Sequence, residues 1–175
     1  SKNPALTIDM LLQYPQLLCD YYKVNENMNI NDILDHPELK WDWKYVSRNL
    51  SLTMDIVLSN PDKPWNWSCL SKHPNIKISD IESHMDLPWN WGWEGFSCNP
   101  NLTISTIETY PDKQWHWNDI SRSMKLTVDL IEQYPDKPWD FIYMNKWNPS
   151  ITLELLLATP DFPWDYRCLS GNKCL

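Results

Sequence analysis

Apolar residues in this chain recur in two short bursts per repeat rather than in long stripes. The first burst reads Asn101-Leu102-Thr103-Ile104-Ser105-Thr106-Ile107 and again Leu126-Thr127-Val128-Asp129-Leu130-Ile131. Val128, Ile131 and Tyr134 fall at i, i+3 and i+6, one face of a helix, and Pro135 stops that helix after about two turns because it has no N–H to continue the ladder. Thr7, Thr53, Thr103, Thr127 and Thr152 stand where N-caps belong, followed two residues on by Asp9, Asp55, Asp129 and Glu154 at the positive helix end. The second burst is aromatic: Pro61-Asp62-Lys63-Pro64-Trp65-Asn66-Trp67, Pro111-Asp112-Lys113-Gln114-Trp115-His116-Trp117, Tyr134-Pro135-Asp136-Lys137-Pro138-Trp139-Asp140-Phe141 and Pro160-Asp161-Phe162-Pro163-Trp164-Asp165-Tyr166. It predicts an Asp-Lys turn and then a second short helix, with Pro64 or Pro138 at its first position and the helix running through Trp65 and Leu70 to Ser71.

The first Trp of each motif falls at 41, 65, 89, 115, 139 and 164, so successive copies are 24, 24, 26, 24 and 25 residues apart. A period this steady signals stacked units. Tyr14 to Tyr21 forms a degenerate seventh copy with Cys19 in the Trp slot. The expected fold is all-α: an α-solenoid of about seven short helix-turn-helix units in one domain over residues 1–175, with units near 3–27, 28–49, 50–73, 74–99, 100–123, 124–148 and 149–175. The chain starts near a first-helix signal, Asn3-Pro4-Ala5-Leu6-Thr7, and stops short of the next, which fits a whole protein or a segment of a longer array. Two-turn helices do not persist alone and must bury a side against the next unit. Trp41, Trp43, Trp65, Trp67, Trp89, Trp91, Trp115, Trp117, Trp139 and Trp164 occupy the repeating slots and are read as that packing, as core ladders rather than ligand platforms.

Composition narrows the function classes. Lys plus Arg number 15 against 23 Asp plus Glu, a net charge of -8, which speaks against nucleic acid as a partner and toward one with basic groups. No apolar run reaches the roughly 20 residues of a membrane span and no signal sequence opens the chain, so a soluble, intracellular protein is expected. Cys19, Cys69, Cys98, Cys168 and Cys174 form no Cys-x-x-Cys pair and are odd in number, as small core residues in a reducing compartment would be. The sequons at Asn49, Asn66 and Asn101 are accidents expected of an Asn/Ser/Thr-rich repeat.

The run Pro61 to Trp67, followed by Leu70-Ser71 and by the Asn101-Leu102-Thr103 type of helix start, resembles the tandem PDKPWDW-x-x-LS-x-NPNIT repeats of giant DNA virus proteins, the mimivirus relatives. The resemblance covers nearly the whole chain. It implies a short-helix repeat protein of viral origin, in the host cytoplasm or the virion, and it carries no activity, cofactor or catalytic residue. Cys19, Phe141 and Tyr166 depart from it by replacing Trp, and Gln114 by replacing the second Pro of the turn.

Candidate chemistry is sparse. His36, His73, His84 and His116 form no spaced metal-ligand pair, so no metal site is expected. His116 and His73 are read as substitutions at repeat positions, the latter where Asn49 and Asn99 stand in other units. Ser47, Ser71, Ser97, Ser121 and Ser170 recur at one slot, and Asp62, Asp112, Asp136 and Asp161 at another, whereas a catalytic group would be singular; they are read as helix-end and turn hydrogen bonders. Three glycines build no phosphate-cradling loop, and no cofactor is expected. The exceptions stand out instead. Gly92-Trp93-Glu94-Gly95 makes its unit two residues longer, and Trp147 lies in a one-residue insertion before Asn148-Pro149. Insertions in repeat proteins fall in loops, often on a binding face. Trp93, Glu94 and Trp147 are therefore the candidate partner-binding residues, against the alternative that each Trp fills a widened core. The function expected is a non-enzymatic scaffold for protein-protein interaction, with a small-molecule or glycan binder using exposed Trp as the alternative.

Overall fold

A computed structural model of the chain describes residues 7–14, 26, 28–173 and 175. Cys19, Cys174 and the degenerate motif copy from Pro15 to Tyr21 lie outside the described residues. The described residues form an all-α, multi-helix fold without strands. First helices are α1 (Ile8–Gln13), α2 (Ile30–Asp35), α4 (Met54–Ser59), α6 (Ile78–Ser83), α7 (Ile104–Thr109), α9 (Val128–Gln133) and α11 (Leu153–Ala158). Second helices are α3 (Trp43–Val46), α5 (Trp67–Ser71), α8 (Trp117–Ser123), α10 (Phe141–Trp147) and α12 (Tyr166–Leu169), with a 3-10 turn at Phe96–Cys98 in the longer unit.

The first helices begin as their sequence predicts. Thr7, Thr103, Thr127 and Thr152 accept a backbone N–H three residues on, and Thr53 holds the N-cap position without a side-chain bond. The second helices begin later than predicted. Pro64 is not a first helical residue and Trp65 is not helical: α5 starts at Trp67, and its N-cap is Asn66, whose Oδ1 accepts the N–H of Cys69. Asp42, Asp140 and Asp165 cap α3, α10 and α12 in the same way, so the residue between the two aromatics is the cap rather than the turn aspartate.

The delay has a physical cause in the first Trp. Its indole N–H must find an acceptor when buried, and in every described copy it donates to the carbonyl five residues back, at the end of the first helix. The distances run from 2.8 to 2.9 Å for Trp41 to His36, Trp65 to Asn60, Trp89 to His84, Trp115 to Tyr110, Trp139 to Tyr134 and Trp164 to Thr159. The same carbonyl also accepts the backbone N–H three residues on, 3.1 to 3.4 Å away, so the indole supplies its second hydrogen bond and pins the turn against the helix end while the chain stays extended through the motif. The second aromatic then meets the first Trp of the next unit edge-on: Trp43–Trp65, Trp67–Trp89, Trp91–Trp115 and Trp117–Trp139 have ring centroids 5.0 to 5.4 Å apart. Phe141 reaches Trp164 through Phe162 instead.

Polar groups join successive repeats as regularly as the rings do. The Oγ of Ser47, Ser71, Ser97 and Ser121 accepts the N–H of Asn66, Asn90, His116 and Asp140 in the following copy at 2.8 to 2.9 Å. Two residues beyond Ser47, Ser97 and Ser170, and three beyond Asn145, which holds the Ser slot in its longer copy, a side chain reaches back to carbonyls of the preceding one: Asn49 to Met28, Asn99 to Ser71 and His73, Asn172 to Asn145 and Asn148, and Asn148 to Ser121 and Met124. His73 takes this role with its Nε2 on the Asn49 carbonyl. Sequon residue Asn49 is thus buried inside the ladder.

Buried residues of both helix sets, such as Val57, Ile81 and Ile107 from the first and Val46, Leu70 and Ile120 from the second, belong to one hydrophobic cluster. Among the second helices, α8 packs on the 3-10 turn and on α10, and α10 on α12. The first helices carry acidic residues and no Lys or Arg, whereas the second carry Lys44, Arg122, Lys146 and Arg167. Of the described cysteines only Cys69 is buried; Cys98 and Cys168 are half-buried and all three are free, so the reading of them as core residues holds for one.

Candidate functional site

The longest departure from the repeat is a closed loop. Where other copies start the second helix directly, Gly92 to Gly95 displaces its first turn and leaves only the 3-10 turn Phe96–Cys98. Asn90 ties the loop from inside: its Oδ1 accepts the N–H of Gly92 at 3.1 Å, and its Nδ2 donates to the carbonyl of Trp93 at 2.9 Å and to Ser68 Oγ at 3.0 Å. The loop recloses through the N–H of Gly95 on the carbonyl of Gly92 and that of Phe96 on Asn90. Gly95 is required for closure, since a Cβ there would lie 2.1 Å from the Asn90 carbonyl oxygen. Glu94 takes a left-handed backbone, φ 52°, which costs about 1 kcal/mol or more in a non-glycine residue.

Asp119, from the following copy, holds that strained residue. Asp119 is 4% exposed, and its carboxylate accepts the N–H of Glu94 at 3.2 Å and the guanidinium of Arg122 at 2.9 Å, with His116 Nδ1 3.1 Å away. A buried carboxylate needs such a set of partners. Cys98 is the fourth member, its Sγ 3.6 Å from Arg122. Burial, reinforced by Asp119 and opposed by Arg122, pushes the Cys98 thiol up to about 11. A raised pKa favours the protonated thiol at neutral pH, and the grouping ties the loop to the following copy through Asp119. Sequence reading missed Asp119. The available signal was its slot, which holds Tyr45, Cys69, Tyr143 and Cys168 in other copies.

Trp93 is 66% exposed and Trp147 is 52% exposed, unlike the motif tryptophans, which are buried or half-buried. Trp147 ends α10 with Lys146 Nζ 5.0 Å from its ring centre, beside exposed Ile142 and Tyr143. Glu94 is exposed and reaches Lys72 only at 3.9 Å. Trp93 and Trp147 stand two copies apart, and among the described residues no ring contact joins them.

A cleft of about 450 Å³ opens between the loop at Gly92 and Trp93 and the next turn at Asp112, Lys113 and Gln114. The walls meet where Gly92 packs against the Gln114 carbonyl, leaving 2.9 Å for a Cβ that glycine does not have. Lys113 Nζ lies 4.8 Å above the Trp91 ring. A second cleft, of about 400 Å³ beside Pro135, Phe141 and Phe162, lies at motif positions without an insertion, where Phe141 replaces Trp and Phe162 replaces the turn Lys; the two rings pack on each other at 5.4 Å. Among the described residues no group of three or more His, Cys, Asp or Glu could hold a metal ion, and no helix is long and apolar enough to cross a membrane. Comparison with protein-family models, curated proteins and solved structures finds no match to this chain.

Proposed function

We propose that the chain is a non-enzymatic repeat scaffold, an α-solenoid of about seven helix-turn-helix units spanning residues 1–175, that binds another protein through Trp93, Glu94 and Trp147. The observation that carries this reading is the contrast between tryptophans. Those in the motif are spent on packing, while the two outside it are exposed in the two longer copies. Exposed Trp is costly in water and is favoured at the centre of protein interfaces. The acidic excess resides on the first helices, so the expectation of a basic partner applies to that side and not to the second-helix side that bears Trp147. The resemblance of the repeat to those of giant DNA virus proteins makes a virion component or a recruited host factor the first partner class to assay.

The test is affinity capture from expressing or infected cells, followed by mass spectrometry, with wild-type, Trp93→Ala and Trp147→Ala chains. A reproducible protein partner lost with either variant, at unchanged melting temperature, supports the reading. Capture of the same proteins by all three chains removes the assigned surface.

A further inference from the structure

We infer that the cleft between the Gly92–Gly95 loop and the 112–114 turn is a binding subsite for a neutral saccharide. The inference shares the exposed Trp93 with the scaffold reading but rests on a further observation: both walls of one cleft break the repeat. One wall carries the inserted Trp93. The other carries Gln114, where Pro64, Pro88, Pro138 and Pro163 stand in four other turns. Packing accounts for neither side chain, since the Trp93 indole is mostly in water and the Gln114 amide is exposed with no hydrogen bond among the described residues.

The chemistry of the cleft fits a sugar ring, which has an apolar C–H face and a rim of hydroxyls that both donate and accept. The indole offers the flat apolar face. Gln114 offers a donor and an acceptor, Asp112 an acceptor and Lys113 a donor, all from one turn. Among the lining residues the formal charges of Asp112 and Lys113 cancel, so the lining carries no net charge to recruit a phosphate or carboxylate ligand, and a neutral polyol is the better match. Its volume falls within the range of small-molecule sites. The platform is held in place beforehand: Asn90 fixes the loop at Gly92 and at the Trp93 carbonyl, and Asp119 fixes Glu94, so little ordering accompanies binding.

The experiment is calorimetric titration of the full chain with a panel of neutral oligosaccharides, up to hexamers, built from glucose, galactose, mannose or N-acetylglucosamine. The expected result is saturable binding of at least one, weakened about tenfold or more in Trp93→Ala and in Gln114→Pro. Gln114→Pro restores the residue of the other turns and removes no hydrogen bond, so its melting temperature should match wild type. No saturable binding by any panel member at millimolar concentration overturns the inference, as does binding that both variants retain. Loss of a captured protein partner in Trp93→Ala without any saccharide binding overturns it too, while leaving the scaffold reading in place.

Discussion

Ser71 and Asn90, 19 residues apart, are joined by a 2.9 Å hydrogen bond in which the backbone N–H of Asn90 donates to the Ser71 hydroxyl. That hydroxyl donates its own proton to the carbonyl of Trp67 at 2.7 Å. A group small enough to be fully buried, and able to give and accept at once, satisfies the end of one copy and the start of the next. Alanine at Ser71 removes both of these part-buried hydrogen bonds, and should lower the stability by about 1–3 kcal/mol in urea denaturation. Ser170→Ala provides the control. Ser170 occupies the same slot but is exposed, and its replacement should change stability by less than about 0.5 kcal/mol.

The indole N–H of Trp65 on the Asn60 carbonyl separates two roles of one side chain. Trp65→Phe keeps most of the ring contact with Trp43 and leaves the Asn60 carbonyl with its bond from the Lys63 N–H, so it loses one hydrogen bond and should cost about 0.5–1.5 kcal/mol. Trp65→Ala also empties the buried slot and should cost about 3–5 kcal/mol. Trp147→Ala, at an exposed helix end, should stay within about 0.5 kcal/mol by the same denaturation measurement.

His73 makes the ladder sensitive to acid. Its Nε2 carries the proton shared with the Asn49 carbonyl, and its Nδ1 accepts the N–H of Asn75, so the neutral ring is the one that fits. Burial lowers its pKa below the ordinary 6.5, with the Asn49 bond partly opposing. The unfolded chain therefore binds more protons than the folded one as pH drops below 6.5, and stability falls with it. Above 6.5 this contribution is absent. Asparagine, which fills the slot at Asn49 and Asn99, titrates in neither state. Between pH 7.5 and 5, His73→Asn should lose less melting temperature than wild type; an equal loss would remove His73 as the cause.

Gly95 and Gly171 should respond in opposite ways to alanine. A Cβ at Gly95 would press on backbone at Asn90, which cannot swing aside, so Gly95→Ala should open the loop. Opening releases Glu94 from Asp119, and amide exchange at residues 92–98 should accelerate. At Gly171 the nearest atom to a Cβ is 3.5 Å away, an ordinary contact, and alanine there should be neutral or stabilise by about 0.4–1 kcal/mol.

The sequence by itself determined the period, the all-helical character, the Thr caps of the first helices and the use of the motif tryptophans for packing. Each of these is written in residues a few positions apart, where capping, helical spacing and Pro act locally. It misplaced the start of the second helix because the deciding partner of Trp65 is a carbonyl that only the folded turn presents. His73, Asn99 and the recurrent serines were visible as slots, yet their work lies in the neighbouring copy, 19 to 28 residues away. Tertiary structure alone decided that the inserted Trp93 faces the turn containing Gln114, and that Asp119 lies beneath Glu94. Hydrogen bonds and ring contacts join residues about one period apart, so two departures that look unrelated along the chain become the two walls of one cleft.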